Sequence, residues 1–400
     1  MASEGDVMPV YSSEKALTIS SVESEWVKVR LGDMCEIYQP ETISKKEMCS
    51  NGAFPVFGAN GKIGYYDRYN HEKPEVLVCC RGATCGTVNM SEPRSWITGN
   101  AMVVHPKDEQ LNQSFLYYLL MGGVSLSKCI TGTAQPQITK ANLTPVKIPL
   151  PPLPEQRRIS TLLGSIEKAI DLERRCEESL TTIKRAAMHV VFTPANTAGW
   201  VKVKLGDVCV IERGSSPRPI KSFLTTHSDG VNWIKIRDVS EKEKFVIQTK
   251  EKITLEGAKK SRRVFPGDLI LTNSMSYGRP YIVKIEGCIH DGWFVLRSKQ
   301  SIYTDCLYYI LLSPLTQKQF GNLAYGSVVQ NVNGDLVKSV SFPLPPLQEQ
   351  QEIVDFLTTL DQKLDIHRRK RACLENIFRL FLPNLTRGTL RFTELPEGCF

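Results

Sequence analysis

The alternation of apolar and polar positions runs through the same succession twice along this chain. Short apolar runs bounded by Gly, Pro and Asn come first: Glu75–Cys80 (EVLVCC) and Asn100–His105 (NAMVVH) in the first half, Asp268–Thr272 (DLILT), Tyr281–Ile285 (YIVKI) and Trp293–Leu296 (WFVL) in the second. Runs of this length and composition predict strands. Leu111–Met121 and Asp305–Leu312 space their apolar residues as short amphipathic helices. Each mixed block ends in a proline-rich stretch, Pro149-Leu150-Pro151-Pro152-Leu153-Pro154 and Pro343-Leu344-Pro345-Pro346. Each proline removes a donor and restricts its predecessor, so these stretches predict stiff joints with a helix after each. Beyond the second joint the apolar spacing is 4-3-4-3: Ile353, Leu357, Leu360, Leu364, then His367 and Arg371, then Leu374, Phe378 and Phe381. The first copy gives Ile159, Leu163, Ile166, Ile170, Glu173, Glu177 and Leu180. This is a heptad seam with two polar positions at its centre.

The succession is a sequence repeat. Residues 26–37 (WVKVRLGDMCEI) match 200–211 (WVKVKLGDVCVI), 116–120 (LYYLL) match 307–311 (LYYIL), and 148–159 (IPLPPLPEQRRI) match 342–353 (FPLPPLQEQQEI), at offsets of 174, 191 and 194. Three ordered matches mean one unit used twice, in a two-domain pseudo-symmetric chain rather than a solenoid of short repeats. The predicted fold is α+β: two pseudo-symmetric domains joined by two long helices that form an antiparallel coiled coil. The expected division is an N-terminal extension (1–25), a first domain (26–148), a joint and spacer helix (149–199), a second domain (200–342), a joint and second helix (343–382) and a tail (383–400). The seam counts give each helix roughly 28 residues, or about 42 Å. A pseudo-dyad would set Glu173 near Arg371 and Glu177 near His367, fixing register; the alternative is a solvated polar stretch in each helix.

Charge follows the same division. The 400 residues carry a net charge of +8, with −4 on residues 1–25, +3 on 26–148, +1 on 149–199, +8 on 200–342 and zero on 343–400. Two basic blocks on a rigid spacer suit a long polyanion; about 42 Å corresponds to roughly 12 base pairs of duplex DNA. The blocks differ between their shared ends, so each is expected to read a different half of an asymmetric target. The twelve cysteines form no Cys-x-x-Cys pair and do not cluster with histidine, which argues against a zinc site. No basic start leads into an apolar core, and no run of about 18 apolar residues occurs. The cysteines are therefore expected to be reduced and mostly buried, and the protein cytoplasmic and away from membranes.

These features together resemble the DNA-specificity subunits of type I restriction–modification systems, over nearly everything from Trp26 to about Phe381. The joint, PLPPL-x-EQ at Pro149–Gln156 and Pro343–Gln350, is the most family-specific element. Phe54–Tyr66 (FPVFGANGKIGYY) is similar to one type of target recognition domain. Arg213–Pro219 (RGSSPRP) with Asn232–Asp238 (NWIKIRD) is similar to another. The resemblance implies a spacer that docks two methyltransferase (modification) subunits, with restriction (helicase–nuclease) subunits completing the nuclease, and double-stranded DNA as the target. It also implies that S-adenosylmethionine, ATP and magnesium belong to the partners.

The candidate contacts follow from residue type and position. Asn60 and Lys62 stand at the tip of the Gly58–Tyr66 turn, with Tyr65 just after; the turn reads either as a DNA contact or as a tight structural turn. Arg81 and Thr84 follow the strand ending at Cys80. Asn273, Ser274, Tyr277 and Arg279 follow the strand at Asp268–Thr272. For Arg81 and Arg279 a surface ion pair is the alternative. Arg218, Lys235 and Arg237 lie in the segments of the second block that carry the resemblance. Lys259–Arg263 (KKSRR) is the densest basic run and reads as a solvated face. Glu155, Gln156, Glu349 and Gln350 open the helices, where acidic residues complement the dipole; partner docking is the role the resemblance adds. No Gly-x-Gly-x-x-Gly, no Gly-Lys-Ser/Thr phosphate loop and no amino-methylase motif occurs, so no catalytic residue is expected. A stand-alone nuclease or methylase, or an orphan regulatory relative, are the rival readings.

Overall fold

A computed structural model describes residues 26–132, 135–193, 196–273, 277–325 and 334–391. The chain divides into two compact units: residues 1–173 with 369–400, and residues 174–368. Each unit takes one mixed block together with half of each long helix.

In the first unit β1 (Val27–Arg30) leads into the one-turn helix α1 (Leu31–Met34). The strands β2 (Cys35–Tyr38), β3 (Phe54–Gly58), β4 (Gly61–Tyr66), β5 (Val76–Cys79), β6 (Val88–Met90), β7 (Trp96–Ile97) and β8 (Ala101–Pro106) follow. They form a four-stranded sheet in the order β2-β8-β5-β6 and a three-stranded sheet β4-β3-β7. The helices α2 (Gln113–Tyr118) and α3 (Lys140–Leu143) precede β9 (Lys147–Leu150), which pairs antiparallel with β1, Val27 opposite Leu150. The long helix α4 (Leu153–Val191) begins directly afterwards. The continuous apolar run at β5 is explained by burial on both faces. Leu77, with Ala101 and Val103 of β8, packs towards Phe57 and Ile97 of the smaller sheet. Val76 and Val78 turn the other way, onto Phe115, Leu116, Ile159 and Leu163.

The second unit repeats this plan. β10 (Val201–Lys204) and α5 (Leu205–Val208) are followed by β11 (Cys209–Arg213), β12 (Leu224–Thr225), β13 (Val231–Ile234), β14 (Phe245–Val246) and β15 (Glu251–Ile253). Then come α6 (Leu255–Lys259), β16 (Arg262–Val264), β17 (Leu269–Thr272), β18 (Pro280–Val283), β19 (Gly287–Ile289) and β20 (Trp293–Ser298). The helices α7 (Thr304–Leu312), α8 (Pro314–Tyr325) and α9 (Gly334–Ser339) precede β21 (Ser341–Leu344) and the long helix α10 (Leu347–Arg387). The sheets run β11-β20-β17-β18-β14 and β12-β15-β13-β19-β16. β10 pairs with β21 in the register of the first copy, Val201 opposite Leu344.

The repeated motifs meet in space, which is why they repeat. The Trp26 indole Nε1 donates to Glu155 Oε2 at 3.1 Å, and the Trp200 indole to Glu349 Oε2 at 2.8 Å. Gln156, fully buried, accepts from the Asn112 amide at 2.7 Å and donates to the carbonyls of Gln110 and Pro151 at 2.9 and 2.8 Å. Gln350, also fully buried, accepts from the Tyr303 amide at 3.0 Å and donates to Ser301 and Pro345 at 3.1 and 2.9 Å. Each Glu-Gln pair therefore locks its strand ribbon to the start of its helix. This corrects the docking role expected for Gln156 and Gln350: their amides are used up inside the joint, out of a partner's reach.

The long helices have 39 and 41 residues, well beyond the roughly 28 expected. At 1.5 Å per residue α4 alone is about 58 Å long. The seam begins a turn inside each helix, because the first turn packs on its own block. α10 also continues through Pro383, past the last seam residue Phe381 and the expected end at 382. Leu382 and Leu385 are buried in the first unit's core, with Leu382 against Gly122, and that packing holds the last turn despite the lost hydrogen bond. Arg391 then reaches Glu155 at 3.4 Å, so part of the expected tail belongs to the first unit's fold.

Within each unit the two helix segments run antiparallel. In the second, Lys184 pairs with Asp361 and Glu177 Oε2 lies 3.9 Å from Arg368 Nε; seven residues back on one helix correspond to seven forward on the other. Glu177 thus faces the residue after His367. Arg371 is bound to Glu375, one turn on, at 2.7 Å. Glu173 is the last α4 residue in the first unit.

Candidate nucleic-acid interface

In the first unit the β3–β4 turn presents an exposed Asn60. The Lys62 ammonium sits 4.4 Å from the centre of the Tyr65 ring and 3.6 Å from Glu92. Asn89 of β6 donates to the Ala59 carbonyl at 2.9 Å, tying this turn to the β5–β6 hairpin. Arg81 and Thr84 are exposed on that hairpin's loop. The Arg81 backbone bridges to Gln137, and the Thr84 hydroxyl lies 3.3 Å from Cys79 Sγ.

In the second unit the segments around Arg218, Asn273 and Asp291 converge. Ser216 Oγ donates to Asp291 Oδ1 at 2.7 Å, and Arg218 Nη2 lies 3.4 Å from Asp291 Oδ2. Arg213 Nε and Asn273 Nδ2 both donate to the Asp291 carbonyl, at 3.2 and 3.4 Å. The chain must pass close here: a Cβ on Gly214 would stand 2.0 Å from the His290 carbonyl oxygen. Asn273 is only 1% exposed, so it acts behind the surface rather than on it, a correction to its expected role as an exposed contact. Its position at the end of a fully buried strand hides this from a sequence reading, which sees only a polar residue before a loop. Ser274 lies outside the described residues. Tyr277 and Arg279 are half-buried, with the Arg279 guanidinium 5.9 Å from the Tyr281 ring centre.

Lys235 and Arg237 share one carboxylate, Glu251. The Lys235 hydrogen bond, opposed by burial and helped by the charges of Lys235 and Arg237, holds that carboxyl below its usual value. The basic run is similarly occupied: Lys260 pairs with Glu256 at 3.2 Å, Arg262 with Glu212 at 2.8 Å, and Arg263 with Glu286. Exposed pairs of this kind contribute little stability, but they leave cations poised on the surface.

The strand registers make the two units comparable residue by residue. Val104 lies opposite both Ile37 and Val76, and Leu296 opposite both Ile211 and Leu269. Gln39, Cys80 and Gly99 therefore correspond to Arg213, Asn273 and Asp291. In the first unit Gln39 Nε2 donates to the Gly99 carbonyl at 3.0 Å, and Cys80 Sγ to the Asn100 carbonyl at 3.2 Å. The same three-segment junction is thus neutral in one unit and charged in the other.

Among the described residues no group of three or more His, Cys, Asp or Glu is placed to hold a metal ion, and no helix is long and apolar enough to cross a membrane. The described cysteines are free thiols. Burial pushes Cys35, Cys209 and Cys306 up to about 12, the behaviour of inert packed side chains.

A family profile described as "Type I restriction modification DNA specificity domain" matches residues 23–182 and again 197–376. The chain belongs to this family. It is 23% identical to the type I restriction enzyme MjaVIII specificity subunit of Methanocaldococcus jannaschii, covering 97% of this chain and 99% of that one. It is 26% identical to the putative specificity subunit S.HindORF215P of Haemophilus influenzae, over 78% and 81% of the two chains. Among solved structures, the S subunit of a type I restriction–modification system from M. genitalium superposes with a TM-score of 0.66 at 17% identity, covering 96% of this chain and 99% of that one. A chain from a structure of type I complex assembly gives a TM-score of 0.56 at 20% identity, over 91% and 98%. Both structures share the fold of this specificity-subunit chain.

Proposed function

We propose that this chain is the DNA-reading subunit of a type I restriction–modification assembly. Each unit reads one half of an asymmetric, bipartite duplex target, and the bound chain directs methyltransferase and restriction subunits to it. The observation that carries this reading is one frame built twice, with the same strand register and the same Trp–Glu and Gln locks, holding differently charged loops at equivalent places. A repeated frame with diverged loops suits two half-sites of different sequence.

The chain itself is proposed to be non-catalytic. S-adenosylmethionine, ATP and magnesium are assigned to the partner subunits, and the assembly works on DNA in the cytoplasm. Two modification subunits would dock on the outer faces of the long helices. In the second unit α4 exposes Ile183 and Ala186; at the matching repeat positions of the first unit α10 carries Ile377, half-buried, and Leu380, exposed. An apolar pair repeated at equivalent positions on two helices supports two copies of one helical partner. Methylome sequencing of cells with and without this gene, in a strain carrying the partner genes, tests the function. A bipartite adenine-methylated motif lost with the gene is the expected result; unchanged methylation overturns it.

A further inference from the structure

Asp291 lies outside the motif segments Arg213–Pro219 and Asn232–Asp238, yet it is where three segments of the second unit are tied together. Its main-chain oxygen takes Arg213 and Asn273, while its two carboxylate oxygens divide between Ser216 and Arg218. We propose that Asp291 is the positioning residue of the second unit's reading loop, its carboxylate standing where a DNA phosphate will stand and holding Arg218 until DNA replaces it. The inference rests on the proposed DNA-reading role.

The two oxygens have different surroundings. Oδ1 accepts the part-buried Ser216 hydroxyl at 2.7 Å, a contact that fixes the Arg213–Pro219 loop over the sheet end. Oδ2 meets Arg218 at 3.4 Å where the arginine side chain is 82% exposed and the aspartate 46%. A single long contact between exposed charges is weak and readily exchanged. A phosphate offers Arg218 a bidentate, charge-assisted pair instead. Burial alone would raise the Asp291 carboxyl; the Ser216 hydroxyl, its own backbone amide, His290 and Arg218 outweigh that and keep it ionised. The corresponding residue of the first unit is Gly99, and there a side chain has no room: a Cβ would lie 2.6 Å from Thr42 Oγ1 and 2.7 Å from the Pro40 carbonyl oxygen. The first unit closes this junction by packing its chain against the glycine; the second closes it with a carboxylate.

The test uses the full chain in the assembly reconstituted with its modification subunits. Asp291→Asn keeps an oxygen for Ser216 and removes the charge facing Arg218. DNA lacking the motif should bind it several-fold tighter at low salt, with the methylated motif unchanged. The gain should vanish when Arg218→Ala is added. Asp291→Ala loses both contacts and should relax the second unit's half-site while the other half is still read, which also shows that the chain is folded. No gain for Asp291→Asn, or a gain that survives without Arg218, overturns the phosphate-surrogate role. Asp291→Ala that leaves both half-sites intact, or loses both, overturns the positioning role. A wild-type assembly that methylates no bipartite motif overturns the DNA-reading role as well, so the two failures are distinguishable.

Discussion

The two units share their joints to the residue and differ in where they place charge. Tyr118 of the first unit donates to Glu167 at 2.7 Å, and Tyr309 of the second donates to Asp361 at 2.7 Å. Across the tyrosine the first unit sets Phe378, ring centres 6.3 Å apart, while the second sets Lys184, 5.5 Å from the ring centre and ion-paired with Asp361. Lys244 adds a second cation, 3.3 Å from the Tyr309 hydroxyl and 2.7 Å from Asp305. The junction beneath the loops shows the same contrast, Gln39, Cys80 and Gly99 against Arg213, Asn273 and Asp291. What repeats is hydrogen-bonded between distant segments, with the two joint glutamines fully buried. What diverges is charge, at positions where either a neutral or an ionic filling closes the same gap.

The largest effect that tests this division is modular exchange. Replacing residues 200–342 with the equivalent block of another family member should change one half of the methylated motif completely and leave the other intact; a change in both halves would break the comparison. Next come the joints. Gln156→Leu and Gln350→Leu each strand a buried amide and two carbonyls, so each should cost about 3 kcal/mol in denaturant unfolding. Near-equal losses in the two units would sharpen the equivalence. A loss in only one would show that the joints differ in more than sequence.

Much of this frame was legible in the sequence, because its signals are strong. Glu75–Cys80 contains β5 and Trp293–Leu296 opens β20. The proline stretches do end in helices, and the repeat gave the two-domain plan. The rest was hidden for identifiable reasons. The Trp26–Glu155 bond links residues 129 apart, and no local pattern announces it. The two-residue strands at the edges of the second unit's sheets, β12 and β14, are too short to show a period of two. The seam begins at Ile159 and Ile353, six residues inside each helix, and stops before Leu382 and Leu385, so counting it cut both helices short. A chain reading that counts Arg218, Lys235 and Arg237 as free cations cannot see that Asp291 and Glu251 already hold them.

Two smaller effects probe the tyrosine sites. Lys184→Phe copies the first unit's arrangement into the second and leaves Asp361 without its closest cation. The pair is only partly buried, so the expected cost is about 1–2 kcal/mol at neutral pH. Glu167 already lacks such a cation. Burial raises its carboxyl above the usual value, and the Tyr118 hydrogen bond offsets this only in part. A carboxyl with a raised folded-state value binds its proton more tightly folded than unfolded. Its contribution is therefore most favourable below the unfolded value, about 4.3, and is lost as pH rises through the raised folded value. Glu167→Gln should remove that slope, leaving a flatter stability profile on the alkaline side of pH 4.3 and a small gain at pH 7. The measurement is unfolding free energy against pH for wild type and variant, and parallel profiles would show that the first unit tolerates the buried carboxylate at no cost.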